Sequence, residues 1–275
     1  MADWPNSGTR SMRSPAPPAT EAALICIREG HPMKIGIIGA GSIGATLARK
    51  LAAGGHEIKL ANSKGPDTIR DLARDLGATA VSKENAVQGV EAVVLSIPFA
   101  RHPELAGLFD DVPADVVVDT SNYYPFRDGA IAEVEGGKPE SVWVGERIGR
   151  PVVKAWNAVL AATLSGKGRP AGASGRIAIP VAGDDLKAKA IAMELVEATG
   201  FDAVDAGGLT ESWRQQPGTP AYCTELTASE LESALQSADR SRAPGSREAL
   251  IREFMAAGDK LTHDEVIARN RAVTA

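Results

Sequence analysis

Hydrophobic positions in this chain come in short, largely apolar runs, and polar residues and glycines punctuate them at turns. The runs occupy residues 35–38, 57–61, 92–97, 116–119, 152–155, 177–181 and 201–204. Runs this short and rich in Val and Ile predict strands, and those without polar alternation predict burial on both faces. Between them, helical spacing appears at Leu47, Ala48 and Leu51, over 68–76, and over 185–199. Strands alternating with helices predict an α/β fold: a Rossmann-type, doubly wound parallel sheet with both faces covered. Beyond residue 207 the pattern becomes helical, near 225–236, 248–257 and 263–271. Leu226, Leu231 and Leu235 share one face, as do Leu250 and Phe254. The first 32 residues follow neither period. Pro5, Pro15, Pro17 and Pro18 interrupt them, and the apolar cluster at 22–27 is shorter than a secretory signal core. The expected organisation is a disordered tail over 1–32, a Rossmann-type domain over 33–207, and a small helical cap or dimerisation segment over 208–275.

The first strand runs into Gly39-Ala40-Gly41-Ser42-Ile43-Gly44, and a helix follows directly. That context gives the glycine spacing a mechanism. Gly39 permits a tight turn, Gly41 lets the backbone approach a pyrophosphate, and Gly44 lets the helix pack closely on the strand. The pyrophosphate would then meet free N–H groups at the helix N-terminus. The second strand ends in Asn62-Ser63-Lys64, with no acidic residue at its tip; Asp67 comes only after Gly65-Pro66. An acidic tip binds an unmodified ribose, whereas serine and lysine suit a ribose 2′-phosphate. NADP(H) is therefore the expected cofactor, in preference to NAD(H). Ligands of such sheets gather at the carboxyl ends of the strands, here Ile97-Pro98, Ser121-Asn122 and the segment 154–157.

Composition narrows the picture further. Among 275 residues, 35 acidic side chains outnumber 30 basic ones, which argues against a broad nucleic-acid surface. No apolar run approaches the ~20 residues needed to span a bilayer, so no membrane association is expected. Cys26 and Cys223 lie far apart in sequence, which suits neither a disulfide framework nor a cysteine metal site. A cytoplasmic, reducing location follows as the expectation. Asp184-Asp185 directly precedes a helix and reads as its cap and first-turn acid, with no metal expected.

Taken in order, several segments resemble the coenzyme F420-dependent NADP reductase family, to which the reductase domains of the STEAP metalloreductases are also related. They are the run at 34–44, Asn62-Ser63-Lys64, Ser96-Ile97-Pro98, and Val153-Lys154-Ala155-Trp156-Asn157. Val181 to Asp185 and Asp205 to Leu209 extend the likeness, which covers roughly 33–210. The resemblance implies an NADPH-dependent oxidoreductase that passes hydride between NADP(H) and a deazaflavin, a flavin or a related acceptor. It implies that Ser63 and Lys64 hold the 2′-phosphate. It places Ile97, Pro98, Asn122, Ala155, Trp156 and Asn157 on the nicotinamide side of the cofactor, with Ser96 also among the cofactor-binding residues. A homodimer is expected for the same reason. The segment 213–220 and the helices after it depart from the family pattern.

Hydride transfer between two flat rings is chiefly a matter of placement and need not use a protein acid. A carbonyl substrate would need a proton donor. Lys154, Tyr124 and His102 are the candidates, although Lys154 also reads as a structural ion pair and His102 as an exposed loop residue. Tyr123 and Tyr124 suit either a substrate platform or plain packing, and Trp213 and Arg214 could close over a substrate. Two alternatives remain open: a β-hydroxyacid-type dehydrogenase or carbonyl reductase, and a non-catalytic NADPH-sensing dimer. The first usually has an all-helical C-terminal half, against the strands expected at 177–181 and 201–204.

Overall fold

A computed structural model describes residues 31–110 and 112–274. The expected tail therefore lies almost wholly outside the described residues.

Six strands form one parallel sheet: β1 (Lys34–Ile38), β2 (Glu57–Ala61), β3 (Ala78–Ala80), β4 (Ala92–Leu95), β5 (Val116–Asp119) and β6 (Val153–Lys154). Their spatial order is β3-β2-β1-β4-β5-β6. The chain reverses direction across the sheet between β1 and β4, which opens a crevice at the carboxyl ends of those strands. Two further strands, β7 (Ala178–Val181) and β8 (Asp202–Asp205), form a separate parallel pair. An antiparallel bridge joins this pair to β6, with Lys154 N donating to Ala182 O at 2.8 Å and Ala182 N donating to Lys154 O at 3.0 Å.

The helices are α1 (Ser42–Ala53), α2 (Arg70–Asp75), α3 (Lys83–Ala86), α4 (Pro125–Asp128), α5 (Ala132–Glu135), α6 (Glu140–Ile148), α7 (Ala161–Gly166), α8 (Leu186–Ala198), α9 (Ala228–Ser237), α10 (Ala243–Ala257) and α11 (His263–Thr274). Strand alternation sends Val94, Val116 and Val118 to one face, where they pack with Leu47, Leu51, Leu195 and Phe201. Val93, Leu95 and Val117 go to the other, against Phe99, Tyr123, Trp143 and Val144. A smaller core gathers Val204, Leu231, Ala234 and Leu235 where α9 meets the β7–β8 pair.

Several boundaries differ from the sequence pattern for local reasons. The helix expected over 68–76 begins as a 3-10 turn, Pro66–Ile69, before α2. The run expected over 152–155 pairs only at Val153–Lys154, because Trp156 adopts a left-handed φ of 56° and turns the chain away. Two elements had no clear sequence signal. β3 has only three residues, and α6 combines a buried Trp143 and Val144 with Gly145 and charged neighbours.

Candidate functional site

The glycine turn has the geometry its spacing requires. Gly39 has φ +115°, and a Cβ there would lie 2.0 Å from Ser96 O. A Cβ on Gly44 would lie 1.9 Å from Gly39 O, so both positions are closed to any side chain by backbone. Gly41 differs. It caps α1 with an extended backbone, and a Cβ there would meet nothing within 4 Å. No acidic residue stands in the first turn of α1, whose uncapped N–H groups remain available to an anion.

A cavity of about 660 Å³ opens from this turn. Of the expected residues, Gly39, Ala40, Gly41, Asn62, Ser63, Lys64, Ser96, Ile97 and Pro98 line it. Asn62 shapes the β2 tip: its Oδ1 accepts Lys64 N at 3.1 Å and its Nδ2 donates to Thr68 at 2.9 Å. The Ser63 and Lys64 side chains are exposed at that tip. Asp67 pairs with Arg70. Ser42, Ile43 and Gly44 belong to the helix start and do not line the cavity, Gly44 serving packing alone.

The sequence pattern did not single out Ile38, Gly65, Ile69, Ser82, Lys83, Glu84, Arg101, Glu104 and Leu105, which complete the wall. Arg101 and Glu104 form an exposed ion pair there, and Lys83 Nζ reaches Glu104 O at 3.3 Å. Ser82 and Lys83 follow the three-residue β3, too short to mark its own carboxyl end in the sequence. Arg101 was legible only as part of a segment after Pro98.

The exits of β5 and β6 are tied to each other. Asn122 Nδ2 donates to Asn157 O at 2.9 Å, and Asn157 Nδ2 donates to Asn122 Oδ1 at 3.0 Å. Gln215 adds a third amide, donating to Asn157 Oδ1 at 2.9 Å. Ala155 and Trp156 are buried in the core, and the Trp156 indole N–H faces Thr199 Oγ1 at 3.4 Å. Asn122, Ala155, Trp156 and Asn157 lie outside the 660 Å³ cavity. The Trp156 side chain in particular packs into the core and lines no part of that cavity.

Two of the three proton-donor candidates fall away. Lys154 is fully buried, donating to Ser121 O at 3.1 Å and to Glu140 Oε2 at 3.3 Å, with Asp119 at 3.8 Å. His102, expected to be exposed, is also fully buried; Nδ1 faces Phe99 O at 2.8 Å and Nε2 faces Asp119 at 3.5 Å. Asp119 is the hub, accepting from Ser121 N, Ser121 Oγ and Ser141 Oγ at 2.9, 2.6 and 2.7 Å. Burial pushes its carboxyl up, but Lys154, His102 and the serines together hold it below the usual carboxylate range. Burial prevails at Glu140, which stays above that range despite Lys154. The cluster clamps the Ser121 peptide from both sides and holds the start of α6 against the sheet.

Of the Asp184-Asp185 pair, Asp185 is the cap of α8, accepting Ala188 N at 2.8 Å, and no acid stands in the first turn, because Asp184 lies before the cap and accepts Leu209 N at 2.8 Å. Trp213 is buried, with the guanidiniums of Arg214 and Arg240 at 4.5 and 5.6 Å from its ring centre.

Residues 34–123 match the family model described as NADP oxidoreductase, coenzyme F420-dependent. The chain is 39% identical over 104 residues to the putative protein YjhV of Escherichia coli, covering 38% of this chain and 76% of that one. It is 26% identical over 179 residues to the metalloreductase STEAP3 of Rattus norvegicus, 65% of this chain but only 35% of that protein. The hypothetical protein SMa0349 of Sinorhizobium meliloti superposes with a TM-score of 0.61 at 28% identity, covering 73% of this chain and 97% of its own.

Proposed function

The chain belongs to the coenzyme F420-dependent NADP oxidoreductase family, and from that premise we propose that it transfers hydride between NADP(H) and a deazaflavin, flavin or related ring acceptor. The observation that carries the cofactor half is the cavity itself. It runs from an open Gly41 at an uncapped helix N-terminus to Ser63 and Lys64, with no carboxylate at the β2 tip. The residues present therefore fit the cofactor. The α1 N-terminus and Gly41 would hold its pyrophosphate, Ser63 and Lys64 its 2′-phosphate, and the Asn122–Asn157 pair would flank its nicotinamide. When bound, the cofactor would supply two electrons as hydride. We assign 33–207 to the cofactor and 208–275 to a cap over the acceptor and a homodimer contact, where Met255 is 69% exposed. No helix among the described residues is long and apolar enough to cross a membrane.

NADPH oxidation assayed against a deazaflavin, a flavin, a ferric chelate and small carbonyls tests the acceptor class. The ring acceptors should turn over. Turnover with only a hydroxyacid or an aldehyde would replace this reading with the dehydrogenase one, and tight binding without turnover would leave the sensor. The β7–β8 pair stands where a β-hydroxyacid dehydrogenase would be helical, which favours the ring acceptors.

The glycines make a separable prediction. Gly44→Ala should destabilise the fold by about 3 kcal/mol, since its Cβ meets backbone that cannot yield. Gly41→Ala should cost under ~1 kcal/mol, the difference between these residues at a helix cap, yet weaken NADPH binding several-fold. Thermal unfolding without nucleotide, paired with NADPH titration, checks both. Unchanged NADPH affinity in Gly41→Ala would refute a ligand role for Gly41.

A further inference from the structure

Tyr124 is the proton-donor candidate that the buried ionic cluster leaves free. Its hydroxyl meets the Tyr222 hydroxyl at 2.5 Å, and the Tyr222 hydroxyl lies 3.5 Å from Asn122 Nδ2. Both tyrosines are partly exposed and stand beside the exit of β5. The titratable and charged groups around Tyr124 are Tyr222 and Cys223, Glu140 at the start of α6, and Arg127 and Asp128 on α4. Arg127 places its guanidinium 5.2 Å from the Tyr124 ring centre, and Asp128 accepts Tyr124 N at 2.9 Å.

Resting on the reading that nicotinamide and acceptor meet at the exits of β5 and β6, we propose that Tyr124 is the proton donor to the acceptor as it is reduced, with Tyr222 as the positioning residue that holds its hydroxyl. Reduction of a flavin-type ring adds hydride at one ring atom and a proton at a ring nitrogen; a carbonyl takes hydride at carbon and a proton at oxygen. The Tyr124 O–H bond breaks as the new N–H or O–H bond forms. The two electrons arrive with the hydride from NADPH, which leaves as NADP⁺, and water returns the proton to the phenolate.

The two-hydroxyl contact explains why this tyrosine suits the task. Only one proton lies within the contact, so when Tyr222 donates to Tyr124, the Tyr124 proton remains free to be given outward. Once it leaves, the same bond becomes charge-assisted and stronger, while Arg127, ion-paired with Asp128 at 2.8 Å, stands beside the ring. Stabilisation that grows as charge develops is what accelerates a step. Burial keeps both hydroxyls above the ordinary tyrosine range, so both stay protonated through neutral pH.

The test combines kinetics with a measurement on the nucleotide-free protein. Single-turnover rates with saturating NADPH and acceptor should fall about a hundredfold in Tyr124→Phe, within the range of general acid catalysis, and by less in Tyr222→Phe. NADPH affinity should change less than about threefold in both. A Tyr124→Phe rate within about threefold of wild type would overturn the proposal. Separately, a fluorinated, more acidic tyrosine placed at 124 is titrated by its fluorine resonance, with and without Tyr222→Phe. Loss of the Tyr222 hydroxyl should raise the midpoint by about one pH unit, a tenfold change in proton affinity. An unchanged midpoint overturns the pairing. If the wild type reduces no acceptor on the panel, the proposed function fails, and the fluorine titration decides the pairing by itself.

Discussion

NADPH should bind on the order of a hundredfold more tightly than NADH, and the double variant Ser63→Asp, Lys64→Ala should erase or reverse that preference. The β2 tip presents one hydroxyl and one ammonium, both exposed, beside a backbone turn that Asn62 fixes through Lys64 N and Thr68. A 2′-phosphate placed there receives a charge-assisted hydrogen bond from lysine and a neutral one from serine. Hydrogen bonds to charged groups contribute about 1.5–3 kcal/mol, and a factor of ten in affinity corresponds to ~1.4 kcal/mol. Aspartate at 63 removes a donor and repels the phosphate, while offering an acceptor to a ribose 2′-hydroxyl. Dissociation constants for both nucleotides, measured at one ionic strength, check this. Equal affinities in the wild type, or an unchanged ratio in the variant, would mean that other residues read the ribose. Lys83 and Arg101, on the same cavity wall, would then be examined first.

Lys154→Met should be the most damaging single substitution outside the glycine turn, at about 3–5 kcal/mol of stability, the range for breaking a buried ion pair. It strands two fully buried carboxylates, Asp119 and Glu140, and removes the donor to Ser121 O. The loss should also depend on pH in a definite direction. Burial already raises Glu140 above the usual carboxylate range, and Lys154 partly offsets this. Without the lysine a carboxyl of the pair rises further, so the folded variant keeps a proton that the unfolded chain releases above its ordinary pKa. Its stability then falls as pH rises from about 4.5. The gap from wild type should therefore be smaller near pH 4.5 than at pH 7.5, as denaturant unfolding at the two values would show. A Lys154→Met, Glu140→Gln double variant should recover part of the loss, because one stranded charge is gone. A gap that stays constant across this range would mean that packing, not charge, makes the lysine necessary.

Much of this molecule is determined locally, and there the sequence by itself was sufficient. Unbroken apolar runs such as Ala92–Leu95 place a strand between two covering layers, since nothing else buries every side chain in so short a segment. Gly39 and Gly44 announce a turn that no side chain could occupy, and Asn62 to Lys64 announce a β2 tip that carries no acid. These features depend on residues adjacent in the chain, so their spacing carries the information. What only the tertiary structure decided depends on residues far apart in sequence. His102 and Lys154 look alike as loop or strand-end candidates, yet the fold drives both onto Asp119, because the 3-10 turn after β4, the end of β5, β6 and α6 converge there and their charges must be neutralised together. Trp156 turned inward because the left-handed backbone at its own position redirects the side chain towards Thr199. Tyr222 carried no signal beside Tyr124, 98 positions away, until the chain following β8 brought the two hydroxyls together. A side chain's availability for chemistry is set by which distant partners occupy it, and pairing across the fold has no period that a sequence can display.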